Sequence, residues 1–184
     1  PLVERLEQTL ATALQKGIAQ DAGVAQSQAQ AASFWRLRHT LSEAHKKSGL
    51  SHSFDVSVPV GVIPAFIPAA DAMLAERFPK ATPMVVCHFG DGNVHYIVMH
   101  KREDWAAEPD PVTTLDRMHE AIHDIAARFG GSFSAEHGVG RKLVGELARL
   151  TSPLELELLQ RVRAALDPGQ RMNPGVFFPR KKRD

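Results

Sequence analysis

Two histidines within residues 84–100 have the types and spacing of metal ligands. The stretches on either side of Asp91-Gly92 are rich in β-forming residues, and this dipeptide is typical of two-residue hairpin turns. That turn would place His88 directly opposite His95. Opposed residues of an antiparallel pair point to the same side, with Cβ atoms about 4.5–5.5 Å apart. The pair could therefore hold one metal ion, and the spacing leaves open the alternative of two histidines stacked on a half-buried sheet.

A third ligand is expected from the segment Ser134–Gly140, which carries Glu136 and His137 at the end of a short predicted strand. Adjacent side chains there point in different directions, so Glu136 could reach a metal while His137 reaches a substrate beside it. A carboxylate with two imidazoles suits zinc, and also manganese or iron. Cys87 precedes His88 on its strand and faces the other way, which predicts a core position rather than a ligand.

Another histidine pair, in His119-Glu120-Ala121-Ile122-His123, matches the H-E-x-x-H pattern of zinc peptidases. Helical spacing places this pair away from the centre of the apolar stripe. The stripe consists of Leu115, Met118, Ile122, Ile125 and Phe129. We therefore interpret His119 and His123 as surface residues of an amphipathic helix, with a metallohydrolase as the alternative.

The elements that must position these residues follow from the periodicity of apolar residues. Helices are predicted over residues 2–16, about 27–47, 63–77, about 111–129 and 152–166, with one more after Gly140. Strands are predicted over residues 54–60, on both sides of the Asp91-Gly92 turn, and over 132–135. This order predicts an α+β fold, in which helices pack on one antiparallel sheet and the C-terminal segment is helical.

The bulk composition excludes several classes of protein. The chain has 184 residues, 43% of them hydrophobic, and 22 basic against 21 acidic residues. This balance gives no electrostatic basis for binding nucleic acid, and the basic tail Arg180–Arg183 is expected to be solvated. The single cysteine permits no internal disulfide, and no apolar run is long enough for a membrane helix. A start at Pro1 with an immediate amphipathic pattern suggests a fragment of a longer chain.

Five segments together resemble the C-terminal domain of the FAD-linked oxidases, a family that includes D-lactate dehydrogenase, the glycolate oxidase flavin subunit and D-2-hydroxyglutarate dehydrogenase. The segments are CHFGDGNVH (87–95), SAEHGVGRK (134–142), LDPGQRMNPG (166–175), FWRLRHTLSEA (34–44) and FDVSVPVGVIPAFI (54–67). The resemblance covers nearly all of residues 1–184 and implies a ferredoxin-like substrate or cap domain. It also implies an N-terminal FAD-binding domain that lies outside this chain.

The resemblance implies a role for each candidate residue. His88, His95 and Glu136 match the metal ligands, and His137 matches the general base that takes the hydroxyl proton of a small D-2-hydroxy acid. Hydride would then pass to FAD and leave a 2-oxo acid.

Residues outside the metal site have expected roles as well. Arg38 matches an arginine that grips the substrate carboxylate, and Ser42 stands where a threonine can contact substrate. Trp35 and Asn173 are expected near the flavin.

Departures from the family pattern suggest which substrate is used. Several relatives have glutamate where this chain has His39, some have lysine at Ser53, and some have asparagine at Ile97. Because a second substrate carboxylate would use the lysine and the asparagine, we expect a monocarboxylate or partly apolar hydroxy acid rather than 2-hydroxyglutarate.

Two further matters stay open at this point. A non-catalytic oxidase subunit kept for assembly is the alternative to an enzyme. The electron acceptor is unspecified, the expected location is the cytoplasm or the membrane periphery, and exposed apolar surface could drive formation of a homodimer.

Overall fold

The computed structural model describes residues 1–178, except for the side chain of Ser42. The basic tail Arg180–Arg183 lies outside the described residues. In chain order the elements are α1 (Leu2–Gln15), α2 (Gln28–Ser48), β1 (Leu50–Ser57), a 3-10 turn (Val60–Val62), α3 (Ile63–Arg77), β2 (Ala81–His88), β3 (Asn93–His100), α4 (Arg102–Ala106), α5 (Pro111–Arg128), α6 (Val144–Leu150) and α7 (Pro153–Leu166). Within residues 1–178, no helix is both long and apolar enough to cross a membrane.

The chain divides into two compact units, of which the first is Pro1–Lys47. This unit contains α1 and nearly all of α2, as the apolar spacing predicted. Leucines along α1, including Leu2, Leu6 and Leu14, are exposed.

The second unit begins at Ser48 and is built on an antiparallel sheet with the strand order β1-β3-β2. Strand β3 lies in the centre and is almost wholly buried. Pro83 lies inside β2, which is an edge strand. Proline has no N–H to donate, and an edge strand tolerates this because only one of its sides pairs with a neighbour. Helices and one antiparallel sheet confirm the predicted α+β class.

One face of the sheet carries the core. The even-numbered residues of β1 and β3, such as Phe54 and Tyr96, point to this face because side chains alternate along a strand. Helices α3 and α5 cover it. The buried cluster comprises Phe54, Val56, Val58, Ile63, Phe66, Ala70, Leu74, Val94, Tyr96, Val98, Met118, Ile122, Ile125 and Ala126. The thiol of Cys87 packs against this cluster, which confirms its core position.

The predicted register of the hairpin is wrong by two residues. His88 pairs with Asn93 rather than with His95, and His95 pairs with Val86. The loop between the strands therefore has four residues, Phe89–Gly92, instead of two. A slip of two residues leaves every side chain on its predicted face, because the side-chain period of a strand is two.

Gly92 explains why the turn is longer than its sequence suggests. Its φ of 83° is left-handed, and a Cβ atom there would lie 2.1 Å from the backbone oxygen of Val58. The Gly92 carbonyl accepts a hydrogen bond from the Val58 amide at 3.0 Å, while its own amide donates to the His88 carbonyl at 3.1 Å. The glycine thus joins the hairpin loop to the end of β1, which a two-residue turn would not do.

The predicted strand over residues 132–135 is reduced to one antiparallel bridge between Ser57 and Ser132. The bridge places this segment beside β1, so the order β-α-β-β-α-segment follows the ferredoxin-like pattern that we expected. Gly131 makes the approach feasible, because a Cβ atom there would lie 2.0 Å from the Ser57 carbonyl oxygen. The segment that carries Glu136 is thereby brought to the edge of the sheet.

Other boundaries also differ from prediction. Strand β1 begins at Leu50, four residues before the predicted start, and ends at Ser57. The short helix α4 was not predicted. Helix α7 is as expected, with Ser152 and Glu155 forming a reciprocal capping box at its N-terminus.

Candidate metal centre

His88 and His95 lie on the face of the sheet opposite the core. His95 faces the same side as its β2 partner Val86, and His88 follows two residues later on that strand, so the two histidines are diagonal neighbours. Their ring centroids are 5.1 Å apart and the rings are nearly perpendicular, at 81°. The histidine pair predicted from sequence therefore forms, through a diagonal contact rather than a direct one.

Glu136 reaches this pair because its segment is hydrogen-bonded to β1. The Ala135 amide donates to the Asp55 carbonyl at 3.1 Å. From there the Glu136 side chain extends towards β3, where its Oε1 lies 3.2 Å from Nε2 of His95. One donor atom from each of His88, His95 and Glu136 lies within 4.8 Å of the other two.

The donor types of this cluster suit a small cation, and one of the donor separations does too. Bonds of about 2.0–2.1 Å at tetrahedral angles require ligand atoms about 3.4 Å apart, which the separation between His95 Nε2 and Glu136 Oε1 approaches. Two imidazoles and one carboxylate suit zinc and leave a coordination position open. The residues present thus fit a divalent cation.

Asp55 is a site residue that the sequence analysis did not select. It lies directly opposite His95 on β1, and its side chain is only 10% exposed. Its Oδ2 accepts hydrogen bonds from the backbone amides of Glu136 at 2.9 Å and His137 at 2.8 Å. An acidic residue within the apolar alternation Phe54–Val58 was the signal that could have revealed it, since an unpaired buried carboxylate is costly.

His137 lies at the boundary between these donors and a large cavity. Its Nδ1 is 3.3 Å from Asp55 Oδ2, and its Nε2 is 3.6 Å from Glu136 Oε1. The side chain is 65% exposed. Asp55 and His137 line a cavity of about 1130 Å³ that extends towards α5 and the loop following His137. His137 therefore lies between the donor cluster and the cavity.

The second histidine pair was misinterpreted, because His123 is buried rather than exposed. It is 1% exposed, and its Nδ1 donates a hydrogen bond to Glu146 Oε2 at 2.7 Å. Arg149 also holds Glu146, with 2.7 Å between its Nη2 and Glu146 Oε2. Among the described residues, neither His119 nor His123 belongs to a group of three metal-donor side chains. Helix α6 approaches this side of α5, which helical periodicity cannot show.

Burial and hydrogen bonds together shift the pKa values of His123 and Glu146. Desolvation lowers the pKa of His123, and the Glu146 carboxylate only partly opposes this effect. Burial alone would raise the pKa of Glu146, but hydrogen bonds from Arg149 and His123 lower it overall. Burial likewise lowers the pKa values of His52 and His100, whose Nε2 atoms are buried without hydrogen-bond partners. These histidines favour the neutral form.

The remaining candidate residues lie on α2 and in the segment that follows α7. Trp35 and Arg38 lie in α2 within the first unit and are exposed. The Trp35 ring stacks on the His39 ring, with 5.8 Å between the ring centroids. Ser42 is also on α2, but its side chain is outside the described part. Asn173 has a left-handed φ of 45° and lines an apolar cavity of about 340 Å³ beside α7.

The molecule is an α+β domain with a cluster of metal-donor side chains on one face of its sheet. Over residues 2–177 the chain matches the family described as FAD linked oxidases, C-terminal domain, and it belongs to that family.

The chain is also similar to several D-2-hydroxyglutarate dehydrogenases. The chain is 34% identical over 167 residues to a D-2-hydroxyglutarate dehydrogenase of Xanthomonas citri pv. viticola, a match that covers 91% of the chain and 35% of the relative. It is 34% identical over 182 residues to one from Stutzerimonas stutzeri, with 95% and 38% covered. A mitochondrial D-2-hydroxyglutarate dehydrogenase of Arabidopsis thaliana is 32% identical over 176 residues, with 96% and 30% covered. The chain thus spans about a third of the length of these curated relatives.

Proposed function

We propose that the chain is the substrate- and metal-binding part of an FAD-dependent dehydrogenase that oxidises a D-2-hydroxy acid to a 2-oxo acid. One observation carries this proposal: the Nε2 atoms of His95 and His137 both face Glu136 Oε1, at 3.2 and 3.6 Å. A metal donor and a candidate base are thus adjacent, as removal of a hydroxyl proton requires. Membership of the FAD linked oxidases and the names of the relatives support the redox class.

His88, His95 and Glu136 would hold a divalent cation, with zinc as the first candidate and manganese or iron as alternatives. When bound, such a cation makes a hydroxyl proton easier to remove, and FAD accepts a hydride. His137 would take the hydroxyl proton on its Nε2, which the side chain presents beside the cavity. Its exposure would then let this proton reach solvent.

The family resemblance suggests roles for four further residues. Arg38 would bind the substrate carboxylate, with Ser42 as a second contact. Trp35 and Asn173 would lie near the flavin, which an N-terminal FAD-binding domain would supply.

The sheet face beside the donors supports a proposal for the substrate class. Ser53 on β1 pairs directly with Ile97 on β3. This pair is two residues along each strand from the pair Asp55 and His95, so it lies on the same face of the sheet. Neither side chain carries a charge that could bind a second carboxylate. We therefore propose a monocarboxylate or partly apolar hydroxy acid as the preferred substrate, although the relatives are named for a diacid.

The test is anaerobic reduction of flavin by hydroxy acids in a flavoprotein that contains this chain, with His137→Gln as the variant. Loss of a general base should lower the rate of reduction about 10²–10⁴-fold. Lys80→Gln, at an exposed position that does not line the cavity, is the control and should leave the rate unchanged. A wild type that binds zinc but reduces no flavin would instead support the non-catalytic assembly subunit. An unchanged rate in His137→Gln would contradict the assigned base.

A further inference from the structure

The carboxylate of Asp55 lies next to the Nδ1 atoms of both His95 and His137. Its Oδ1 is 3.5 Å from Nδ1 of His95, and its Oδ2 is 3.3 Å from Nδ1 of His137. Both rings turn their other nitrogen, Nε2, towards Glu136 Oε1. The two histidines therefore have the same orientation, with Asp55 on one side and Glu136 on the other.

The same carboxylate also holds the segment that supplies Glu136. Its Oδ2 accepts the two adjacent amides of Glu136 and His137, and the Asp55 carbonyl accepts the Ala135 amide. These three bonds attach a loop to a strand that is 80 to 82 positions away in sequence. Because they use backbone amides, they fix the loop independently of the protonation of any side chain in it.

Asp55 Oδ1 is buried, and none of the described residues forms a hydrogen bond with it. A carboxylate oxygen in this state is costly, and Nδ1 of His95 is the polar atom that the structure places beside it. A proton on Nδ1 would supply the missing donor. Neutral imidazole has only one such proton, so Nε2 would then be left with its lone pair free.

We propose that Asp55 is the positioning residue of the site, which holds His95 and His137 in the Nδ1–H tautomer and so leaves both Nε2 atoms free. One free Nε2 can bind a cation, and the other can accept a proton. A carboxylate that hydrogen-bonds the far nitrogen of a ligand histidine fixes its tautomer and orientation. Here one carboxylate acts on the ligand and on the base at once. This inference rests on the proposed function.

A competing role for Asp55 is that of a direct ligand, because its carboxylate, Glu136 and His137 also form a compact donor group. The hydrogen bonds argue against this role. Oδ2 already accepts two amides, and Oδ1 is buried 3.5 Å from Nδ1 of His95. A ligand role predicts a different result in the experiment below.

The test compares Asp55→Asn with the wild type and with Asp71→Asn. In Asp55→Asn the amide oxygen can keep both backbone bonds, but the NH₂ group then faces His95 Nδ1 and forces the proton to Nε2. Asp71 accepts a hydrogen bond from Tyr96 at 2.7 Å on the core side, so its variant removes a comparable carboxylate away from the site. Long-range ¹H–¹⁵N NMR spectra of the metal-free chain, at pH about 8.5, report each histidine tautomer. Chelator competition reports zinc affinity.

Glu136 Oε1 lies 3.2 Å from Nε2 of His95 and would compete for the ring proton in the metal-free chain, so the tautomers are compared in a Glu136→Ala background. There we expect Nδ1–H at His95 and His137, and Nε2–H at His95 when Asp55→Asn is added. With Glu136 intact, zinc affinity should fall about 10–100-fold in Asp55→Asn and stay unchanged in Asp71→Asn. Nε2–H at His95 in Glu136→Ala would overturn the inference, even if the Asp55→Asn variant does not fold. Unchanged tautomers with lost zinc would indicate a ligand role and would also overturn it. A wild type that binds no zinc would overturn the proposed metal centre, while the tautomers would still decide the role of Asp55.

Discussion

The rings of His88 and His95 meet edge to face, with 5.1 Å between their centroids, across the two strands of one hairpin. Glu136 completes the trio from a loop that is far away in sequence. If these residues hold one cation, then removing any of them should abolish stoichiometric binding, because a protein site with only two ligands is weak. We expect His88→Ala, His95→Ala and Glu136→Ala each to lower zinc affinity by at least about 100-fold, beyond the effect of losing an orienting group.

Elemental analysis and chelator competition on the purified chain would measure this effect. His45→Ala, on α2, is the control and should bind zinc like the wild type. Zinc binding that persists in Glu136→Ala would show that the loop does not contribute a ligand.

Gly92 should be intolerant of a side chain. Alanine there would be strained at a φ of 83° and would overlap the Val58 carbonyl, which lies 2.1 Å from the Cβ position. We expect Gly92→Ala to lower the free energy of unfolding by about 2–4 kcal/mol, the combined cost of strain and overpacking. Urea denaturation would measure it.

Gly90 provides the matched control in the same loop, because a Cβ atom there meets nothing within 4 Å. Gly90→Ala should change stability by less than about 1 kcal/mol, through the unfolded chain. Equal effects of the two substitutions would contradict the four-residue loop.

The buried His123 should make stability depend on pH. Its pKa in the folded state is lowered by burial, so the unfolded chain binds a proton more readily. The stabilisation is therefore complete above the unfolded pKa of about 6.5 and is lost as the pH falls towards the folded value. His52 and His100 act in the same direction.

Urea denaturation between pH 7.5 and pH 5 would test this dependence. His123→Gln removes one titrating group, so the stability of this variant should fall less steeply with decreasing pH than that of the wild type. At pH 7.5 the variant should be less stable than the wild type, because the hydrogen bond to Glu146 changes. Parallel curves for the two proteins would show that His123 does not contribute.

A lysine at Ser53 should alter substrate preference. Ser53 is exposed and lines the large cavity together with Asp55 and His137. Because a cation there would attract a second carboxylate, Ser53→Lys should raise kcat/KM for D-2-hydroxyglutarate relative to D-lactate by about tenfold, the effect of one charge-assisted contact of about 1.5 kcal/mol.

The measurement needs the flavoprotein and both substrates. Thr82→Lys, at an exposed position of β2 that does not line this cavity, adds the same charge as a control and should leave the ratio unchanged. A wild type that strongly prefers the diacid would contradict the proposed substrate class.

Local patterns were sufficient for much of the fold. The boundaries of α3 and α5 and the cap of α7 follow from apolar spacing, proline positions and the Ser152–Glu155 box, which act within a few residues. The shared face of His88 and His95 was also predictable, since it depends only on parity along the strands. The hairpin register could not be predicted in this way, because the Gly92 carbonyl accepts a hydrogen bond from Val58, a residue outside the hairpin.

The sequence by itself determined which chemical groups are present, their faces on individual elements and the family of the chain. Tertiary structure alone decided which of these groups meet. The bridge between Ser57 and Ser132 brings Glu136 to His95, and the approach of α6 buries His123, which local periodicity places near solvent. Asp55 belongs with these cases, because a carboxylate in a strand becomes a positioning group only when a distant loop supplies amides to it. Such contacts depend on how elements pack, and no local pattern of residue types specifies that packing.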